Sequence, residues 1–531
     1  MEDLNDLLPR LEQLNRIGAA LSDERDIDRL LENILLAAKA ITHADGGTLY
    51  RVSEDRKSLR FEIVRTDSLG LALGGASGEP MSGRFQDLPL YREDGMPNTS
   101  LVAAYSVLKA ETVNIADAYT ADGFDFSGTR KFDEVTGYRS GSFLTVPMKN
   151  HENEIIGVLQ LINAIDPDGG SARVFSSADQ RLAESLASQA AVALTNRLLV
   201  SQLEQLFESF IKLINLAIDE KSPYTGGHCQ RVPALTMMLA EAVELTSDGP
   251  LAGFAMSDKD RYELKIAGLL HDCGKVTTPV HVVDKATKLQ TIFDRIQLVD
   301  TRFEVVRRDA ELAMLRAVVA GAEREAAELR WRELCAAIDS DRAFLHHVNI
   351  GVEAMSDSDQ ERVRRIAKAY RWVAPEGVEA DFLSADEVEN LTIRTGTLTH
   401  AERETINHHI VATNRMLESL PWPKHLRHVP EYAGGHHERM DGAGYPKGLK
   451  RDDMSVQARI MGIADIFEAL TARDRPYKQG MKLSQALRVL ERFSRDGHID
   501  PDLFDVFVKQ QVYLQYAGQY LDPSQIDLPN C

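Results

Sequence analysis

The chain has 531 residues, 44% hydrophobic and 27% charged, a balance that excludes a wholly disordered chain and leaves room for two or three domains. Asp and Glu (81) outnumber Lys and Arg (61), the formal net charge is −20, and no basic run is present, so a DNA or RNA polymer is excluded as partner. A small phosphate ligand remains compatible, because one or two placed cations suffice for it. The start, MEDLNDLLPRLEQLN, lacks the basic, apolar character of a signal peptide. No apolar stretch reaches the ~20 residues of a membrane span. The four cysteines (Cys229, Cys273, Cys335, Cys531) form no CxxC pair, and a cytoplasmic protein without membrane contact is expected.

Residues 1–40 read as helical, with Leu7, Leu11, Leu14, Ile17 and Leu21 at three- and four-residue steps. Strands follow at Gly47–Val52 and Leu59–Val64, and the apolar runs Ser142–Pro147 and Ile155–Ile162 flank a polar turn at Asn150–Asn153. This order predicts an α+β domain over 1–176. A helix is expected over 177–219, where Leu182, Leu186, Ala190, Ala193, Leu203, Leu206, Phe210, Leu213 and Ala217 recur at helical spacing. Its length favours a parallel dimeric coiled coil over packing within one domain. From 220 to 531 the pattern is helical, and the Arg-, Glu- and Ala-rich stretch 290–397 reads as an inserted helical subdomain.

Histidine carries the chemical signal. His228, His271-Asp272, His408-His409, His436-His437 and Asp465 lie in separate helical segments. A lone histidine in such a domain is ordinarily a surface or core residue; this many beside carboxylates are not. His271-Asp272 ends the apolar run IAGLLHDCGK, and Asp465 stands within RIMGIADIFEALTA, where a bare carboxylate is costly to bury unless paired or bound to metal. Imidazoles with carboxylates and no thiolate suit a pair of divalent transition ions, iron or manganese at least as well as zinc. Such ion pairs recur in phosphoester hydrolysis.

HDCGK resembles the core of the HD superfamily of phosphohydrolases, and HHERMDGAGYP resembles the extended HD-GYP signature, with SPYTGGHCQRV upstream and IADIFEALTARDRPYK downstream. The resemblance spans about 220–290 and 398–480. It implies an all-α catalytic domain over 220–531, a metal-dependent phosphodiesterase acting on cyclic di-GMP, and metal ligands at His228, His271, Asp272, His409, His436, His437 and Asp465. Asp272 would bridge two ions. Lys275, Arg475, Lys478 and Tyr445 would contact substrate, Gly444-Tyr445-Pro446 would shape a loop open to a partner protein, and Glu438 and Asp441 would orient the histidines. The insertion 290–397 departs from the family, and His346 and His347 within it read as a solvated helix face. Tyr224 is a second departure, standing where some members carry an extra acidic ligand; two ions and the product pGpG are expected in consequence. Two other readings stay open: a hydrolase of another cyclic nucleotide, and a catalytically silent dinucleotide receptor.

The stretch KFDEVTGYRSGSFLTVPMKNHENEIIGVLQLINA resembles GAF sensor domains of cyclic-nucleotide phosphodiesterases and cyclases. Asn163, Phe175 and Asp179 match the family's downstream signature, while Ala164 and Gln180 replace its Lys and Glu. The resemblance implies a small-molecule ligand, with a cyclic nucleotide among the candidates, and a homodimer.

Overall fold

The computed structural model describes residues 4–81, 83–166, 169–221, 227–351, 354–374, 377–473 and 480–528. The chain divides into two compact units, Met1–Phe207 and Glu208–Cys531. Among the described residues no helix is long and apolar enough to cross a membrane.

In the first unit the helical N-terminus is two helices, Leu4–Asp23 and Ile27–Thr42. Asp26 makes the break: its carboxylate accepts the Arg29 N–H and so caps the second helix. The expected strands extend to Ala44–Val52 and Ser58–Thr66 and pair antiparallel, with Thr48 opposite Val64. The main path of the eight-stranded sheet runs Leu71–Gly74, Ser58–Thr66, Ala44–Val52, Ile155–Ile165, Phe143–Lys149, Val113–Ile115, each antiparallel to its neighbour, and the short strands Leu88–Pro89 and Ala172–Arg173 pair beside it with Ser58–Thr66 and Ile155–Ile165. The polar turn closes as read, because Asn150 Oδ1 accepts from the backbone of Glu152 and Glu154.

One face of this sheet is dry. Leu49, Ile63, Leu144 and Leu161 pack there on Leu30 and Ile34 of the second helix and on Leu182 and Leu186 of the helix Ser177–Lys221. On the other face the helix Val102–Lys109 covers Tyr50, Leu59 and Val158. Two residues of the sensor-domain signature act as scaffold. Asn163 accepts from the Gly141 and Ser142 N–H groups, and buried Asp179 holds Arg10 and Arg173, each at 2.6 Å.

The helix Ser177–Lys221 is continuous, and Leu199, Leu203, Leu206, Phe210 and Leu213 stand exposed along it at alternating four- and three-residue steps. In the second unit, four helices set the site. His228–Glu244 begins with a histidine, and Asp258–Leu270 starts on a Ser257/Asp260 capping box and ends at His271. His400–Glu418 starts on a second box, Thr399/Glu402, and Val456–Thr471 is capped by Ser455. The 3-10 turn Cys273–Thr277 lies against His400–Glu418. Gly274 permits this approach: a Cβ there would meet the His409 carbonyl oxygen at 2.0 Å and the Thr413 nitrogen at 2.5 Å. The Gly274 N–H instead donates to Thr413 Oγ1 at 2.9 Å.

The stretch 290–397 has its own core. Helices Ile296–Val319, Arg324–Asn349, Asp357–Ala369 and Ala385–Leu391 gather around Phe303, Tyr370 and Phe382. It adds a two-stranded ribbon, Arg371–Val373 with Glu379–Asp381, to the expected helices; Trp372 and Val373 suit a strand, and Gly377 (φ 78°) supplies the turn. Its stem is closed by two buried lysines. Lys285 donates to Asn390 and Glu402, and Lys288 donates to the carbonyls of Leu391 and Ile393. His346 lies on a solvated face, as read, paired with Asp300 at 3.0 Å.

Candidate metal centre

Five histidine rings meet in the second unit, and in four of them the partner of Nδ1 turns that edge outward and the Nε2 edge inward. His271 Nδ1 lies 2.7 Å from the Gly268 carbonyl oxygen, His409 Nδ1 2.5 Å from that of Ile406, and His436 Nδ1 2.6 Å from that of Ala433. A carbonyl only accepts, so each Nδ1 carries the proton and each Nε2 presents a lone pair. The fourth ring, His228, donates from Nδ1 to the buried carboxylate of Glu468 at 2.5 Å, and Arg231 holds the other Glu468 oxygen at 2.7 Å.

The inward edges crowd one another. His228 Nε2 is 3.3 Å from His271 Nε2, 3.1 Å from Asp272 Oδ2 and 3.3 Å from Asp465 Oδ1. His437 Nε2 is 3.2 Å from His409 Nε2, which is 3.3 Å from Asp272 Oδ1. Asp272 thus turns one oxygen to His228 and His271 and the other to His409. Two trios, His228/His271/Asp272 and His409/His436/His437, have donor atoms within 4.8 Å of one another.

Charge and satisfaction point the same way. Burial works to raise Asp272, but Lys275 and His271 outweigh it and hold the carboxyl well below the usual range. Asp465 is likewise held down, His228 overcoming its burial. Burial, then His437 and His271, push His436 far below 6.5, and burial takes His437 to about 4, so both rings are neutral donors. His228 is the exception: Glu468, Asp272 and Asp465 overcome its burial and raise it well above 6.5, so a cation arriving here displaces a proton. Among the described residues, the buried atoms Asp272 Oδ1 and His436 Nε2 have no hydrogen-bond partner. Unsatisfied acceptors facing acceptors are costly unless a cation lies between them. The donor set fits a divalent transition metal.

Comparison with known proteins matches residues 26–194 to a GAF-domain family model, residues 225–339 to an HD-domain model and residues 385–503 to a second HD-domain model. The chain joins a GAF domain to an HD domain. Over 235 residues it is 29% identical to a Vibrio cholerae protein named "Probable cyclic di-GMP phosphodiesterase", a match covering 43% of this chain and 52% of the relative. It is 44% identical over 87 residues to a 3'3'-cGAMP-specific phosphodiesterase of the same organism, covering 16% of this chain and 20% of that protein. It is 37% identical over 116 residues to a cyclic di-GMP phosphodiesterase of Pseudomonas aeruginosa, covering 22% and 27%. The chain therefore spans about half the length of the first of these relatives and less of the others.

Within the HD domain the seven ligand candidates His228, His271, Asp272, His409, His436, His437 and Asp465 come together, and His409, rather than exposed His408, points inward. Lys275 lies 2.5 Å from Asp272 Oδ2. Tyr445 stacks on His437, ring centroids 4.9 Å apart. Arg475, Lys478 and Tyr224 lie outside the described residues. Glu438 and Asp441 do not play the orienting role expected of them. The Glu438 carboxylate staples the following loop by accepting the Lys447 and Leu449 N–H groups, and Asp441 pairs with Arg439 and caps Ala443. The orienter is Glu468, which the sequence reading missed. Its signal was there: a second carboxylate three residues after Asp465 in an apolar helix, hence near the same face. A cavity of about 360 Å³ opens beside the centre, lined by His437, Tyr445 and Asp465 and also by Arg439 and His498, two further residues that the reading did not single out.

Proposed function

We propose that the HD domain is a metal-dependent phosphodiesterase of the HD-GYP type that hydrolyses cyclic di-GMP to pGpG. The carrying observation is Asp272 set between two groups of inward-facing Nε2 atoms, with one oxygen unpartnered among the described residues. His228, His271 and Asp465 would hold one ion, His409, His436 and His437 a second, and Asp272 both. Bound ions would polarise the phosphodiester and supply a nucleophile at neutral pH, and iron or manganese suits the imidazole-rich set. The chain's own groups bind and orient. Lys275 is within reach of a phosphoryl oxygen if it swings from Asp272, and the cavity walled by Tyr445, Arg439 and His498 receives a nucleotide. Tyr224 offers no acid for a third ion, so one phosphodiester is cut and pGpG accumulates before GMP.

The relative specific for 3'3'-cGAMP makes the hybrid dinucleotide the competing substrate. The test is an anaerobic chromatographic time course with iron- or manganese-loaded full chain on both dinucleotides, beside Asp272→Ala and metal quantification. Cyclic di-GMP turnover with a pGpG lag, abolished in Asp272→Ala, is expected. Binding without turnover would establish a silent receptor instead, and faster turnover of cGAMP would reassign the substrate. The exposed stripe Leu199–Leu213 supports a parallel dimer through the Ser177–Lys221 helix, its leucines and Phe210 forming the seam.

A further inference from the structure

In the first unit a cavity of about 440 Å³ is lined by the sheet and by the helices Val102–Lys109 and Ser127–Thr136. That volume is in the range of small-molecule sites. Its walls are aromatic: Phe61 and Phe85 stack with centroids 4.8 Å apart and planes at 18°, and Phe126 meets Phe143 at 5.5 Å. Among the described residues, no lysine, arginine or histidine lines it. The one ionised side chain among the described lining residues is Asp125, whose carboxylate accepts the Ser127 N–H at 2.9 Å. The helix start that would otherwise draw a phosphate is therefore already met by a negative charge. A phosphate placed at this helix start would face a carboxylate with no cation from the described lining residues to offset it, which is unfavourable.

The polar group that remains is Gln160, a buried side chain in the wall. Its Oε1 accepts from Tyr50 Oη at 3.2 Å and its Nε2 donates to Thr145 Oγ1 at 3.1 Å. A primary amide has two hydrogens and two lone pairs, so these two bonds leave one donor and one acceptor on the same amide. That pattern complements the edge of a purine base, and the aromatic walls complement its faces.

We propose that this cavity takes an uncharged purine, as free base or nucleoside, and rejects phosphorylated nucleotides, including the cyclic nucleotides suggested by the sequence resemblance. The proposal rests on reading the first unit as a small-molecule sensor and is independent of the metal centre, since its readout is binding and not turnover. Full-length protein is titrated by calorimetry with adenosine, guanosine, cAMP and cGMP. One nucleoside per chain is expected to bind at least tenfold more tightly than its cyclic monophosphate. Gly128 lines the cavity at an exposed position where a Cβ meets nothing within 4 Å, so Gly128→Trp should obstruct the cavity and weaken this binding with the melting temperature unchanged. Gln160→Leu should weaken it tenfold or more. A cyclic nucleotide bound as tightly as its nucleoside, nucleoside binding that survives both substitutions, or no nucleoside binding by the wild type would each overturn the proposal.

Discussion

The contact between the 3-10 turn and the His400–Glu418 helix is the most exacting in the HD domain, and Gly274→Ala tests it. The new Cβ would lie 2.0 Å from the His409 carbonyl oxygen and 2.5 Å from the Thr413 nitrogen, both backbone atoms that cannot rotate away. Restoring even a 3.0 Å contact moves the turn or the helix by about 1 Å, at a cost of ~1–3 kcal/mol as for other overpacked sites. That leaves a protein of ordinary stability folded. The same displacement separates Asp272 Oδ1 from His409 Nε2, now 3.3 Å apart, and breaks the link between the two trios. A misplacement of ~1 Å at a reacting centre costs on the order of 100-fold in rate. We expect Gly274→Ala to keep its circular dichroism, to lose tightly held metal, and to turn over cyclic di-GMP ~100-fold more slowly. Gly518→Ala is the control: it sits in the helix Val512–Tyr520 with nothing within 4 Å of a Cβ, and should stabilise the protein by ~0.4–1 kcal/mol without touching the rate. Wild-type metal content and rate in Gly274→Ala would refute the reasoning.

Glu468→Gln keeps the shape of the side chain but removes the charge that holds His228, and should weaken metal binding ~10–100-fold, measured by chelator competition; unchanged affinity would reduce Glu468 to a packing residue. Burial pushes the Lys288 ammonium down from 10.5 to about 8, so between those pH values the unfolded chain binds one more proton at this site than the folded one. Stability should therefore rise with pH in that window, by about 1–2 kcal/mol once the carbonyl partners are allowed for, relative to Lys288→Met; parallel denaturation curves for the two proteins would contradict this. Phe210→Glu places a charge in the exposed seam of the Ser177–Lys221 helix and should convert a dimer to a monomer in sedimentation velocity, whereas an unshifted sedimentation coefficient would remove the seam from the interface.

Much of this molecule could be read from its residues. The hairpin about Asn150, the two central strands, the long helix and the set of histidines all follow from period, turn chemistry and residue type. Other features could not be read so. The interruption of the N-terminal helix depends on one capping bond from Asp26, a signal lost within an otherwise continuous apolar pattern. Glu438, placed beside two candidate ligands in sequence, looked like their orienter, yet its carboxylate turns to the backbone of Lys447 and Leu449 because the loop folds back over it.

The aiming of the four rings divides the same way. For His271, His409 and His436 the Nδ1 proton goes to the carbonyl three residues earlier, a contact that the helical turn creates by itself, so the inward lone pair is a property of local sequence. His228 begins its helix and has no preceding turn to bond. Its ring is held by Glu468, 240 residues away in the chain, and that bond exists only once the His228–Glu244 and Val456–Thr471 helices pack together. Likewise a glycine in HDCGK is only a small residue until the turn meets His409. Residue type and spacing determined which atoms can bind a cation; tertiary packing decided which lone pairs face each other, because that depends on contacts between segments far apart in the chain.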